Sequence, residues 1–171
     1  MKWFPEGLVV LGCLLGGLSL FFKEWRGTEA PAAESIPDES GTAKDCGAIS
    51  LYLICRLEGT PASFEEIRKL TRTSIIGTSM FDIKEAAEQQ GFEARGSMSS
   101  FESLLDHLAH RGRYVILFFQ EGHFAPAVQL VGDKIRIIDT RRLEPKDYSA
   151  DDLSRMGWDG TALLLQKSGR E

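Results

Sequence analysis

The order of hydrophobic patterns predicts an α+β domain, with helices first and an antiparallel sheet after them. Three observations carry this. Between Cys46 and about His110, apolar residues recur at helical spacing, and Ser residues stand at cap positions. From Tyr114 onward, short apolar runs are separated by glycine-bearing turns, as in strands joined by hairpins. Hydrophobic residues at 43% and charged residues at 26% suit an ordinary globular core.

Taken in order, a first helix covers Cys46–Leu57, with Gly59 as its stop. A second, short helix starts at Ser63, whose Glu66 completes a capping box. Residues 73–78 form a loop. A third helix runs from Ser79 to Gln90, with Met80, Ile83, Ala86 and Ala87 on one side and Gly91 after it. Phe92–Gly96 is a short strand. A fourth helix, from Ser99 or Ser100 to about His110, buries Phe101, Leu104, Leu105 and Leu108. Tyr114–Phe119 is nearly all apolar, so it predicts a central strand covered on both faces. His123–Leu130 and Lys134–Asp139 are the next two strands. Ser149–Met156 is a small helix with Asp152 at its capping-box position, and Thr161–Gln166 is a final strand.

Ahead of this domain, residues 1–27 read as a membrane anchor or signal segment. Leu8–Phe22 carries no charge and is closed by Lys23-Glu24-Trp25-Arg26. The run is slightly short for a spanning helix of about 20 residues and slightly long for a signal core of roughly 7–15. Trp3, Phe4 and Trp25 are suited to the membrane interfaces. An uncleaved anchor, a cleaved signal and a lipoprotein box ending at Cys13 stay open, in that order. The expected localisation is a membrane-anchored domain outside the cytoplasm, or secretion after signal cleavage. Residues 28–43 are small, acidic and proline-bearing, and read as a flexible tether. The domain then occupies 44–168.

A net charge of −5 and scattered Lys and Arg argue against binding nucleic acid through its phosphates. The Arg141-Arg142 pair reads as a solvated strand end. Cys46 and Cys55 on one helix lie about 13 Å apart, too far for a disulfide. No Cys/His spacing matches a zinc site, so no metal or other cofactor is expected. His107 and His110 read as surface residues.

One constellation remains. Cys46 stands in Asp45-Cys46-Gly47, where a polar stretch gives way to an apolar helix. Helix-terminal amides favour thiolate there, and Gly47 lets another backbone approach. Taken alone, Cys46 reads first as a small buried residue. His123 opens a strand after a glycine turn, and Asp139 ends the next strand. A thiol, a base and a group that orients the base form the expected pattern of a cysteine nucleophile. A three-residue hairpin loop, Leu130-Val131-Gly132, would set His123 directly opposite Asp139. A two-residue turn at Gly132-Asp133 would send Asp139 to the wrong face.

With these residues in place, the chain resembles the bacteriocin-processing, double-glycine leader peptidases, a papain-like cysteine peptidase family. The resemblance rests on Asp45-Cys46-Gly47-Ala48, Gly77-Thr78-Ser79, Gln90-Gly91-Phe92, Gly122-His123-Phe124 and Ile137-Ile138-Asp139, and it covers roughly residues 40–166. It implies a papain-like fold with N-terminal helices packed on the sheet. It also implies hydrolysis after small residues such as Gly-Gly in an exported peptide. Cys46 is then the nucleophile, His123 the base and Asp139 the orienter. The implied partners are a peptide or protein substrate, the membrane through residues 1–27 and a separate ABC exporter. The chain departs from the family pattern at Ser40, where the family carries the glutamine of the oxyanion hole. Ser40 and the Cys46 amide are the replacement donors to consider. A peptidase-like module that binds leader-like peptides with weak or no catalysis is the alternative reading.

Overall fold

In a computed structural model of the chain, residues 42–169 are described. The anchor or signal expected over 1–27, and nearly all of the tether over 28–43, lie outside the described residues. Among the described residues, no helix is long and apolar enough to cross a membrane.

Helix α1 spans Thr42–Leu57. It begins four residues upstream of the expected Cys46, because Ala43, Lys44 and Asp45 extend the helix rather than the tether. Ala48, Ile49, Leu51, Ile54 and Cys55 are all fully buried, so the helix is covered nearly all round. Two short helices flank it. Helix α2 (Phe64–Leu70) starts at the predicted Ser63–Glu66 capping box, and α3 (Met80–Gln89) starts at the Ser79 cap. Ile67 and Ile83, from these two, complete the contact with α1.

The chain then enters the sheet. Strand β1 (Phe92–Met98) leads through α4 (Phe101–Leu108) to β2 (Arg113–Phe119), β3 (His123–Val131) and β4 (Lys134–Ile138). Strand β5 (Pro145–Tyr148), helix α5 (Ala150–Arg155) and β6 (Trp158–Lys167) follow. The six strands are arranged β1-β6-β2-β3-β4-β5, and every neighbouring pair is antiparallel. Sequence patterning missed β5, whose Pro-Lys-Asp-Tyr has no apolar alternation. It is held by pairing with β4 and by Arg136, which grips both Asp147 oxygens at 2.7 and 2.9 Å.

Both faces of the sheet are covered. On one face, Ile116, Phe124, Leu163 and Leu165 pack with α1, α2 and α3. On the other, Val115, Leu117, Ala125, Ala127, Ile135 and Leu164 pack with Leu104 and Leu108 of α4 and Leu153 of α5. This two-sided cover explains the unbroken apolar run predicted for β2.

The β3–β4 hairpin differs from the expected three-residue loop. Val131 pairs with Lys134, leaving Gly132-Asp133 as a two-residue turn. Gly132, at φ +62°, is the one of the two at positive φ, the pattern of a II′ turn. By itself this register would turn Asp139 away from His123. A β-bulge reverses the effect. Gln129 pairs with Arg136 but Ala127 pairs with Ile137, so Val128 is an extra residue on β3. One added residue flips the side-chain alternation once more. Strand β4 ends at Ile138, so Asp139 lies just past the paired strand, at the end of the hairpin nearest His123, and does not pair with it as the three-residue loop required.

Candidate active site

Cys46 lies in the second turn of α1, 3% exposed. Helix α1 crosses β3, and the Phe124 N–H of β3 donates to Cys46 Sγ at 3.4 Å. Phe124 follows His123 directly, so the sulfur lies within about 6 Å of the His123 Cα by standard backbone geometry. The helix and strand that carry the two residues are thus joined through the Phe124 amide, while among the described residues no hydrogen bond links the Cys46 and His123 side chains.

Close packing around Gly47 holds this contact. A Cβ at position 47 would sit 2.8 Å from Ile83 Cδ1 and 3.1 Å from Thr78 Cβ. A larger residue would have to displace both side chains, so glycine suits the close approach of α1 to α3 and the loop before it. Asp45, nearly buried, accepts from Arg68 Nε at 3.0 Å and ties the first turn of α1 to α2. Thr73 bonds through its hydroxyl to both Thr71 (2.9 Å) and Thr78, bracing the loop behind Gly47. The Ser50 hydroxyl donates to the Cys46 carbonyl at 2.7 Å.

The electrostatics favour a neutral thiol and a neutral imidazole at rest. Burial pushes the Cys46 thiol up. The amides of Phe124, Gly47 and Cys46, and then the Arg141 charge, oppose that rise. Burial pushes the His123 imidazole down, and Arg141 adds to this, while the carboxylates of Asp139 and Glu121 pull the other way. The His123 ring lies 6.3 Å from that of Phe119, its cross-strand neighbour.

Asp139 is engaged by its own turn. Its Oδ1 accepts from the Arg141 and Arg142 amides at 2.8 and 3.1 Å. Among the described residues, no hydrogen bond joins it to His123, although its charge acts on that ring. Ser40 lies outside the described residues. Arg141, read from sequence as a solvated strand end, stands where its charge acts on both Cys46 and His123. Its place two residues after Asp139 was the available signal.

His107 is not a surface residue. It is half-buried, and its Nε2 lies 3.2 Å from the Tyr114 carbonyl and 3.1 Å from the Leu165 carbonyl, donating its proton there. Its place beside the buried Leu104 and Leu108 on α4 was the missed signal. Among the described residues, no group of three or more His, Cys, Asp or Glu is placed to hold a metal ion.

Comparison with known proteins bears on this arrangement. The model of the peptidase C39 family matches residues 39–170. The chain is 29% identical over 105 residues to the lactococcin-G-processing and transport ATP-binding protein LagD of Lactococcus lactis subsp. lactis. That match covers 56% of this chain and only 14% of the relative. The fold is similar to a double glycine motif protease from an AMS/PCAT transporter, solved with its leader peptide (TM-score 0.61, 21% identity, 72% of this chain and 84% of that one). It is also similar to the peptidase domain of Streptococcus ComA (TM-score 0.60, 22% identity, 73% and 93%). A peptidase C39-like domain of a toxin secretion ATP-binding protein from Vibrio parahaemolyticus gives a TM-score of 0.59 at 20% identity, covering 73% and 98%. With an α+β fold of this kind, and a family match that takes in the whole region from α1 to β6, the chain belongs to the peptidase C39 family and is a cysteine-type peptidase.

Proposed function

We propose that the chain cleaves peptide bonds after a double-glycine leader, with Cys46 as nucleophile, His123 as base and Asp139 as the group that orients His123. The observation that carries this reading is the 3.4 Å hydrogen bond from Phe124 N–H to Cys46 Sγ, which joins the thiol to the peptide following His123. From the neutral resting pair, His123 takes the thiol proton as sulfur attacks the scissile carbonyl. The imidazolium then gives that proton to the leaving amine, and a thioester remains on Cys46. Water, deprotonated by His123, hydrolyses the thioester and restores the thiol. The Asp139 and Glu121 charges favour the transient imidazolium.

A leader helix would rest on apolar surface beside the site. Ile75, Ile76 and Phe81 are 82%, 93% and 62% exposed. Gly77, from the same loop, lies against the Lys44 carbonyl in the first turn of α1. The AMS/PCAT protease solved with its leader peptide supports this class of substrate. The apolar run from Leu8 to Phe22 supports a membrane anchor that holds the domain outside the cytoplasm, beside a separate ABC exporter. A papain-like arrangement, with the thiol on the helix that crosses the sheet, accommodates these roles.

The burial that raises the Cys46 thiol favours a second reading, a leader-binding module with weak catalysis. Mass spectrometry of a synthetic leader peptide incubated with the protein separates the two. The peptidase gives cleavage after Gly-Gly that Cys46→Ala abolishes. Binding of the peptide without cleavage rejects the peptidase assignment of Cys46.

A further inference from the structure

The turn joining β4 to β5 carries a feature that the peptidase reading leaves unused. Asp139 anchors it through the Arg141 and Arg142 amides, and Leu143 N–H donates to the Asp139 carbonyl at 2.7 Å. The turn has local costs. Leu143 holds φ +57°, and the Thr140 hydroxyl is buried with no partner among the described residues. Costs of this kind persist where the backbone is held for a purpose.

Two observations fix where the turn points. Leu143 packs on the core cluster that contains Cys46, so the turn folds towards α1. Strand β4 runs antiparallel to β3 with Ile137 beside Ala127, so the turn after Ile138 lies at the end of the hairpin where His123 begins β3. Arg141 is exposed, and among the described residues no carboxylate lies within 4.0 Å of its guanidinium. Several other described arginines share that lack, so what sets Arg141 apart is its place beside the site. Among the described residues, Arg141 is the cation whose charge acts on both the thiol and the imidazole, and the other charges acting on His123 are those of Asp139 and Glu121.

We propose that Arg141 is a substrate-selecting residue: held at the rim of the Cys46–His123 site by the Asp139 turn, its guanidinium binds a carboxylate of the peptide close to the scissile bond. The inference rests on Cys46 and His123 being the reacting pair. A planar guanidinium fork matches a carboxylate through two hydrogen bonds, and the lack of an internal partner leaves that fork open.

The test compares two thiol reagents of similar size, iodoacetate and iodoacetamide, by the rate at which each labels Cys46. A cation that binds carboxylates speeds the anionic reagent selectively. Arg141→Gln should lower the iodoacetate-to-iodoacetamide rate ratio about three- to tenfold, and Arg141→Lys should keep most of it. If Arg141 acted only by promoting thiolate, both rates would fall together and the ratio would hold, which overturns the proposal. A second arm uses leader peptides with Glu or Gln beside the cleavage site. The wild type should show a lower KM for one Glu peptide than for its Gln twin, with kcat alike, and Arg141→Gln should erase the difference. Equal KM values in the wild type at every flanking position overturn substrate selection. If neither peptide is cleaved, the peptidase reading fails, and the alkylation ratio still decides whether Arg141 binds a carboxylate at the thiol.

Discussion

Cys46 and Cys55 sit on the same helix, both free and both buried, yet their surroundings differ at every point that matters for a thiol. Burial pushes the Cys55 thiol up to about 11, opposed only by the charge of Lys167. Burial raises Cys46 too, but three backbone amides and Arg141 act against it. Packing alone makes an inert cysteine. A thiol ready for chemistry needs donors aimed at the sulfur, and here these come where the first half of α1 meets β3. The other end of α1 offers apolar side chains instead.

The largest expected effect breaks the contrast outright. Cys46→Ala should lower leader cleavage at least about 10³-fold, and His123→Ala should do the same, since members of one catalytic unit fail together. Cys55→Ala should leave the turnover within about twofold. Steady-state kinetics on one peptide decides this. Equal losses at Cys46 and Cys55 would mean that both act through packing.

The next effect is on stability at high pH. The folded-state pKa of Cys55 lies above its unfolded value, so the buried neutral thiol contributes stability that is fully present below about pH 8.5. Above that the unfolded chain loses the proton first, and up to about 2–3 kcal/mol should disappear as pH rises towards 11. Denaturant melts between pH 8 and 11 measure this. Cys46 contributes in the same direction, and Cys55→Ala should leave a shallower fall.

Gly47→Ala probes the tight end of the helix. The new methyl would meet Ile83 Cδ1 at 2.8 Å, so about 1–3 kcal/mol should be lost in urea unfolding. Adding Ile83→Val removes that Cδ1 and should recover part of the loss. Full additivity of the two costs would show that the contact is not what makes the glycine necessary.

The smallest effect concerns the imidazole. With burial and Arg141 holding His123 down, the acid limb of kcat/KM should fall below the usual imidazole value of about 6.5. Arg141→Gln should move that limb up, and Glu121→Gln should move it down, each by a fraction of a unit. Shifts of the opposite sign would rule out His123 as the titrating base.

Much of this arrangement was legible from local signals. The Ser63–Glu66 and Ser149–Asp152 capping boxes mark their helices because a cap is set by residues three apart. The apolar run of β2 revealed a two-sided strand. What the sequence hid was long-range or self-cancelling. Strand β5 depends on a partner strand and an ion pair, and nothing within Pro145–Tyr148 announces either. The expected hairpin register was wrong by its turn. The bulge at Val128, one valine among others in sequence, shifts the register by one residue before Asp139 is reached. Helix α1 starts at Thr42, where Ala43 and Lys44 favour helix and Asp45 places an acid in the first turn. Arg141 looked like ordinary surface charge because its significance lies in what the turn brings it near.

Trapping the thiol in the act tests the central contrast most directly. A peptide chloromethyl ketone ending in Gly-Gly binds like substrate and alkylates, with loss of chloride, the thiol that meets its carbonyl, leaving a stable thioether. Tandem mass spectrometry of the digest reads which cysteine carries the adduct. A single adduct on Cys46, greatly reduced in His123→Ala and with Cys55 unmodified, is the expected result. An adduct on Cys55, or none on Cys46 while the peptide binds, would contradict it.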